Sequence, residues 1–203
     1  AILSYVRDSG HVHFTDTTAR DITQSNSGNR FRLAEDRIIG PYLDNCGFFS
    51  LENGGRAHFH VAMLANMTYP FSEAREWNEF APKTLKQLLI RSTNVLGYKP
   101  LPRNIMRRAG KMICEHYDVL RCFDFLNHIE NMRPFAEMAL ASSKNIWEPA
   151  ISLSFAKGFD VPHYLGVVQE IIDMNAQVLG CSKDAAEKTF ILGLKDMAGS
   201  CPP

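Results

Sequence analysis

The sequence has no excess of either charge, because 22 lysines and arginines are balanced by 22 aspartates and glutamates. A protein that binds nucleic acid or an anionic membrane through a basic surface normally carries a positive excess. The composition therefore argues against nucleic-acid binding and against attachment to a membrane by a basic patch.

The sequence also has no apolar run of the roughly 20 residues that a membrane-spanning helix needs, and no signal peptide. Its cysteines form no CxxC pair, and an odd, scattered set is typical of reduced thiols inside cells. We therefore predict an intracellular protein without a membrane span. The five cysteines are Cys46, Cys114, Cys122, Cys181 and Cys201.

Hydrophobic residues make up 45% of the chain, which is enough for a buried core. Short apolar runs recur every ~30–40 residues, the length of a strand with its crossover helix. Near-continuous apolar strands are typical of a parallel sheet covered by helices. Six strands are predicted at 12–14, 48–51, 88–90, 119–125, 150–155 and 190–194.

Longer amphipathic stretches separate these runs. Apolar residues recur with helical spacing at 105–116 and 164–172. Further helices are predicted at 132–141 and at 33–43, where Pro41 weakens the pattern. For 57–83 we predict one helix and a loop.

A cation, an anion and an amide lie within five positions after the first predicted strand. Arg20 offers a rigid fork of donors, Asp21 a hard oxygen ligand, and Gln24 both a donor and an acceptor. At the end of a strand, this cluster predicts an oxyanion site that could also hold a divalent metal.

Polar side chains follow five of the six predicted strands. In a (β/α)8 barrel the strand ends converge on one face, where active sites lie, whereas a doubly wound sheet uses a single switch point. The pattern therefore predicts an α/β fold of the TIM-barrel type. Because only six strands are found, residues 1–203 are expected to form a partial barrel of six β/α units. Strands seven and eight would then lie outside this chain or come from another one.

The first cluster is part of a set of motifs that occur in a fixed order. They are FTDTTARDITQS, SLENGGRAHFHVAML, LLIRSTNVLGY, DVLRCFDFLN and LGLKDMAG. This set resembles the carboxyltransferase barrels of biotin-dependent enzymes, a family that includes pyruvate carboxylase, the transcarboxylase central subunit and the oxaloacetate decarboxylase alpha subunit. An Arg-Asp pair after strand one also occurs in aldolase and lyase barrels. Its combination with Lys-Asp-Met-Ala-Gly favours the carboxyltransferase branch.

The resemblance implies a site built from six residues. Asp21 would bind a divalent metal (zinc, manganese or cobalt), and Lys195 would carry a carboxyl group as N6-carboxylysine and bind the same metal. Arg20 and Gln24 would hold the oxygens of a keto acid, and Arg91 would bind the substrate carboxylate. Tyr98 would contribute to the substrate pocket. The expected catalytic residues are Arg20, Gln24, Arg91 and Lys195.

Simpler interpretations exist for the same residues. Arg20 and Asp21 could form a structural salt bridge, and Lys195 could be a solvated lysine after a strand. The motif around Lys195 favours the site. Arg121 and Asp124 are expected to form an ion pair near the barrel mouth.

In the resembling family, a His-x-His pair also binds the metal. We assign neither histidine pair of this sequence to that role. The pair at 11–13 begins the first predicted strand, toward the opposite face. His58 and His60 begin a predicted helix, where side chains at i and i+2 do not share a face. His60 stands where these barrels usually have aspartate, and Gly-Gly-Arg at 54–56 replaces their Trp-Gly-Gly. From these departures we expect an acceptor that is larger or more acidic than pyruvate.

The function implied by the resemblance is carboxyl transfer between carboxybiotin and a keto acid through a metal-stabilised enolate. The sequence has neither an Ala-Met-Lys-Met motif nor a glycine-rich ATP-binding segment. A biotin carboxyl carrier and a biotin carboxylase are therefore the expected partners of a homo-oligomeric enzyme in the cytoplasm or, in a eukaryote, the mitochondrial matrix. Two alternatives remain: a metal-dependent aldolase, lyase or Claisen-type synthase, and a non-catalytic barrel that serves as an assembly module.

Overall fold

The computed structural model describes residues 2–28, 30–95 and 97–199. In these ranges six parallel strands form one sheet in sequence order, a half-barrel covered by helices. The predicted α/β class and partial TIM-type barrel are confirmed. The strands are β1 (Thr15–Asp16), β2 (Ser50–Gly55), β3 (Leu85–Arg91), β4 (Val119–Asp124), β5 (Ile146–Leu153) and β6 (Gly193–Asp196).

Helices connect successive strands, as expected for parallel pairing. Within the described ranges they are α1 (Ile2–Asp8), α2 (Thr23–Ser27), α3 (Leu33–Leu43), α4 (Arg56–Leu64), α5 (Pro70–Phe80), α6 (Arg103–His116), α7 (Arg133–Ala141), α8 (Val161–Leu179) and α9 (Lys183–Ala186). The prediction for 57–83 was wrong, because two helices lie there. Pro70 starts α5 at a position where a missing N–H costs no helical hydrogen bond.

Three strands lie farther along the chain than the apolar runs predict. β1 begins at Thr15 instead of residue 12, β2 extends to Gly55, and β6 contains Lys195 and Asp196. The stretches 52–55 and 195–196 therefore lie inside strands and do not follow them. The physical reason is that the inner face of the half-barrel is polar, so hydrophobicity alone misplaces the strand ends.

The outer face of the sheet packs against the helices in the main hydrophobic core. Side chains alternate between the two faces of a strand, so every second residue of the central strands enters this core. The strand residues in it include Leu88, Ile90, Leu120, Cys122, Trp147 and Ile151. The inner face is left to the charged side chains that form the site.

Two predictions about the whole chain can be compared with this structure. Among the described helices, none is long and apolar enough to cross a membrane. The four described cysteines are free thiols, and Cys201 lies outside the described residues.

Asp36 of α3 is a buried carboxylate that contacts Trp77 of α5. The Trp77 Nε1–H donates to Asp36 Oδ2 over 3.3 Å, and Asp36 is only 6% exposed. Burial raises the pKa of Asp36 from 3.8 to about 6, although nearby His58 and the Trp77 hydrogen bond oppose this rise. The folded state therefore binds this proton more tightly than the unfolded chain does.

The substitution Asp36→Asn should remove the free-energy cost of burying an ionised carboxylate, while it keeps a hydrogen-bond acceptor for Trp77. The stabilisation from protonated Asp36 is present below about pH 4 and is lost as the pH rises through 6. We expect Asp36→Asn to raise the free energy of unfolding by about 1–3 kcal/mol at pH 7.5. The gain should shrink toward zero near pH 4, and urea unfolding at both pH values measures it. An equal effect at the two pH values would contradict the assignment.

Candidate active site

The turn after β1 brings Arg20 and Asp21 to the carboxyl end of the sheet. Asp16 starts this turn, because its Oδ1 accepts from the Thr18 N–H at 3.0 Å and its Oδ2 from the Thr18 hydroxyl at 2.8 Å. The chain then forms a short π-helical turn over Thr18–Ile22. Such turns are rare and occur frequently at functional sites.

Two carboxylates hold the guanidinium group of Arg20. Its Nε–H donates to Glu52 Oε1 over 2.6 Å, and its Nη2 lies 2.5 Å from the same oxygen. Its Nη1–H donates to Asp21 Oδ1 over 2.6 Å. The Glu52 side chain is fully buried, whereas the Asp21 side chain is 54% exposed. At Gly55, a Cβ would lie 3.1 Å from Arg20 Cδ, so glycine leaves room for the arginine stem.

The second oxygen of Glu52 is bound from the other side. Gln87 Nε2 donates to Glu52 Oε2 over 2.8 Å, and Arg121 Nη1 does so over 3.1 Å. Arg121 Nε in turn donates to Glu148 Oε1 over 2.7 Å. A charged network thus crosses the inner face from the β1 turn to β5.

The predicted ion pair between Arg121 and Asp124 was wrong. Arg121 faces the interior and pairs with two glutamates there, whereas Asp124 ends β4 and organises the loops beside it. Its carboxylate accepts from the side chains of Ser92 and Asn131, each at 2.9 Å, and from two backbone N–H groups. Burial opposes ionisation of Asp124, but these hydrogen bonds outweigh it and hold its pKa below the usual value.

A cavity of about 250 Å³ opens at the carboxyl ends of the strands. Five of the six predicted site residues line it, and Asp21 is the exception. Three of the lining side chains are cationic, and none of the described ones is acidic. The lining residues are Arg20, Gln24, Gly55, Ala57, Leu89, Arg91, Tyr98, Phe123, Lys195 and Met197.

Two of the cations lie over aromatic rings. The guanidinium carbon of Arg91 is 5.4 Å from the ring centre of Phe125, and Lys195 Nζ is 5.1 Å from that of Phe123. A ring face attracts a cation without neutralising its charge. Each ring therefore helps to hold its basic side chain in place.

Lys195 lies in an environment that disfavours its protonated form. Burial lowers its pKa most, and the nearby Arg20 and Arg121 guanidinium groups lower it further, against the smaller opposing effects of Glu52 and Asp21. A larger fraction of this amine is neutral, and hence nucleophilic, than an exposed lysine would show at the same pH.

The ring of Tyr98 stacks on the ring of His60, the residue that stands where barrels of the resembling family usually have aspartate. The two rings are 4.9 Å apart with an interplanar angle of 14°. The side chain of His60 thus contacts a residue that lines the cavity. His58 instead pairs with Glu73 at 2.9 Å, so the two histidines point to different neighbours, as their helical spacing predicts.

Known proteins resemble the chain over nearly its whole length. Human mitochondrial pyruvate carboxylase is 32% identical over 207 aligned positions, which cover 98% of this chain and 16% of the enzyme. A pyruvate carboxylase subunit of Methanothermobacter thermautotrophicus is 30% identical over 95% of this chain and 32% of its own length. No protein-family model matches the chain.

Solved structures agree with these relatives. The carboxyl transferase domain of Rhizobium etli pyruvate carboxylase with 3-bromopyruvate superposes with a TM-score of 0.84 at 28% identity, covering 99% of this chain and 33% of that one. The same domain with pyruvate and biocytin gives 0.80 at 29% identity, covering 95% and 32%. The chain is thus similar, over nearly its whole length, to pyruvate carboxylases and to their carboxyl transferase domain. It spans less than a third of the length of either sequence relative, at 16% and 32%.

A metal site of the expected kind is incomplete in the described part of this carboxyltransferase-type barrel. No group of three or more His, Cys, Asp or Glu side chains is placed there to hold a metal. Asp21 offers a carboxylate, but one of its oxygens accepts from Arg20. The unmodified amine of Lys195 offers no anionic oxygen. The described residues alone therefore do not fit a metal, and the metal-binding roles of Asp21 and Lys195 stay predictions.

Glu52 is the site residue that sequence reasoning missed. The apolar pattern assigns it to a polar stretch after a strand, although it lies in β2 and holds Arg20. Side chains that are two residues apart lie on the same face of a strand, and this spacing could have revealed Glu52. Ser50 and Glu52 both face the polar interior and contact Gln87.

The lowered pKa of Lys195 can be measured by competitive labelling. We expect its reaction with acetic anhydride to reach half-maximum at a lower pH than that of a short lysine-containing reference peptide in the same sample. Peptide mass spectrometry in CO2-free buffer measures both. The same or a higher midpoint for Lys195 would show that its environment does not favour the neutral amine.

Proposed function

We propose that this chain provides the substrate-binding part of a biotin-dependent carboxyltransferase, which moves a carboxyl group between carboxybiotin and a keto acid. The observation that carries the proposal is the convergence of Arg20, Arg91 and Lys195 on one cavity at the carboxyl ends of the strands. The similarity of the chain to pyruvate carboxylases and their carboxyl transferase domain supports it. Residues 1–203 would supply six β/α units of the barrel.

The cavity suits the charge changes of such a reaction. Arg91 would bind the substrate carboxylate through two parallel hydrogen bonds, which fix its orientation. Release of CO2 from carboxybiotin breaks its N–C bond and leaves biotin as an anion, which would take the C3 proton of the keto acid. The enolate that remains carries its charge on the C2 oxygen, and its C3 would attack CO2; loss of CO2 in the reverse direction leaves the same enolate. Arg20 and Gln24 would donate hydrogen bonds to that oxygen where the charge develops.

A divalent metal is part of the proposal, but no step above depends on it. When bound, it would supply Lewis-acid polarisation of the keto oxygen. Asp21 and a carboxylated Lys195 would be the ligands from this chain, and further ligands would come from outside the described residues.

The carboxyl group would arrive from a partner. We propose a biotin carboxyl carrier and a biotin carboxylase as partners, in a homo-oligomeric assembly. The Methanothermobacter relative is named as one subunit of a pyruvate carboxylase, which supports separate polypeptides for these functions. The location would be the cytoplasm, or the mitochondrial matrix in a eukaryote, as the name of the human relative suggests.

The acceptor is proposed to be larger or more acidic than pyruvate. The stacking of His60 on Tyr98 places an imidazole beside the cavity wall, and three cations line the cavity. A substrate screen with purified full-length protein in which pyruvate is clearly preferred would refute this part.

A metal-dependent aldolase, lyase or Claisen-type synthase is the second candidate, because it would use the same Arg20–Asp21 pair, which the structure joins at 2.6 Å. It would need no carboxylated lysine. Plain lysine at position 195 in the mass spectrum of metal-loaded, active full-length protein would favour it.

Substitution of the two cavity arginines should separate binding from catalysis. Arg91→Lys loses the bidentate geometry, so we expect the KM for the keto acid to rise about 10-fold or more. Arg20→Lys should lower kcat by about 100-fold, because it weakens stabilisation of the developing oxyanion. Carboxyl transfer from a biotinylated carrier by the full-length protein is the assay.

Arg107→Lys is the matched control, because Arg107 pairs with Glu137 on the surface at 3.2 Å. It should leave both constants within about twofold of wild type. If the wild-type protein transfers no carboxyl group, the proposed function fails. If it does and Arg20→Lys matches the control, the role of Arg20 is wrong.

A further inference from the structure

We infer that Glu52 is a positioning residue for the proposed carboxyl transfer, acting through Arg20, and that Gln87 and Arg121 fix Glu52 in place. This inference rests on the proposed function, since it assigns a task to residues behind the same cavity. Glu52 does not line the cavity and would not touch the substrate.

The carboxylate of Glu52 uses one oxygen for Arg20 and the other for Gln87 and Arg121. Oε1 is taken by the Nε and Nη2 side of Arg20, and Oε2 by Gln87 and Arg121. The side chain is fully buried. With both oxygens bound from opposite sides, the carboxylate cannot rotate without breaking contacts that water would not replace.

This arrangement decides which part of Arg20 can reach a ligand. The contacts with Glu52 and Asp21 occupy one N–H each on Nε, Nη2 and Nη1. Of the five N–H groups of an arginine, those left over lie on Nη1 and Nη2, at the far end of the guanidinium. Arg20 lines the cavity and its Nε–H is occupied by Glu52 of β2, so the remaining N–H groups on Nη1 and Nη2 are the ones that could serve a ligand there.

Asp21 alone would not hold Arg20 in this way. Its side chain is 54% exposed and contacts only Nη1. Without Glu52, the guanidinium would turn about its stem toward this exposed carboxylate. The donors would then leave the position where the enolate charge forms, and a misplaced donor contributes much less to stabilising the transition state.

The charges of the network are balanced, which is why Glu52 can be buried. It lies between two guanidinium groups, and Glu148 balances Arg121 at 2.7 Å. A buried carboxylate with a single partner would be destabilised by the loss of its hydration. Arg121 thus places a second guanidinium group beside the buried carboxylate of Glu52, opposite Arg20.

Two substitutions at position 52 test the inference. Glu52→Gln keeps the shape and removes the charge, and Glu52→Asp keeps the charge and shortens the reach by one methylene. In the full-length protein we expect kcat to fall about 10- to 100-fold for Glu52→Gln and about 10-fold for Glu52→Asp, with the KM for the keto acid within about threefold of wild type. A merely structural role would lower the folded fraction without this split.

Glu73→Gln is the matched control. Glu73 is also a buried, paired glutamate, at 6% exposure, and it accepts from His58 and Thr68 on the outer side of the barrel. It should lose thermal stability while kcat per folded molecule stays within about twofold. If Glu52→Gln does not fold, Glu52→Asp decides the matter. A kcat for Glu52→Asp equal to that of the control overturns the inference.

Oxalate binding separates this inference from the proposed function. Oxalate is a planar dianion that resembles the enolate of a keto acid, and calorimetry measures its dissociation constant without any turnover. We expect it to bind about 10-fold more weakly to Glu52→Asp than to wild type, with no change for Glu73→Gln. An active wild-type enzyme whose oxalate affinity is equal in all three proteins supports the function and refutes the positioning role. An inactive wild-type enzyme with the expected affinity pattern refutes the function only.

Discussion

The structure of the site depends on one buried carboxylate, that of Glu52. It contacts the turn after β1 through Arg20, β3 through Gln87 and β4 through Arg121, and Arg121 extends the contact to Glu148 of β5. Removal of one partner from a buried ion pair leaves an uncompensated charge, which is far more costly than loss of a surface pair. The relative positions of these elements are therefore coupled through a single side chain.

This coupling explains why different interactions determine the packing on the inner and outer faces of the sheet. The outer face packs Leu88, Ile90 and Leu120 against helices, where shape and volume decide. On the inner face, each charged group restricts its neighbour by direction and distance. A polar interior of this kind holds the donors of Arg20 in a fixed orientation, which a hydrophobic interior could not provide.

Part of this arrangement could be predicted from the sequence. Arg20, Gln24, Arg91, Tyr98 and Lys195 belong to motifs at predicted strand ends, and all five line one cavity. Parallel strands bring their carboxyl ends together, so approximate strand positions were sufficient for these residues.

The contacts behind the cavity could not be predicted in the same way. Glu52 and Arg121 are 69 residues apart, and the partner of Arg121 depends on which way each strand faces. A shift of one residue in a strand exchanges its two faces. The predicted strand ends were wrong by several residues at β2 and β6, which explains why the sequence favours the nearby Asp124 over the distant Glu52 as the partner of Arg121.

The charge balance of the cavity bears on the proposed carboxylation of Lys195. Three cations line the cavity, and Glu52 is already shared between Arg20 and Arg121. Reaction of the neutral amine with CO2 gives a carbamate and releases one proton, which turns a potential cation into an anion. Burial and the neighbouring guanidinium groups lower the pKa of Lys195, and the same groups would attract the carbamate. Burial disfavours either charged form, whereas the guanidinium groups disfavour the ammonium form and would favour the carbamate. The electrostatics that would support the predicted metal ligand therefore come from this chain's own arginines.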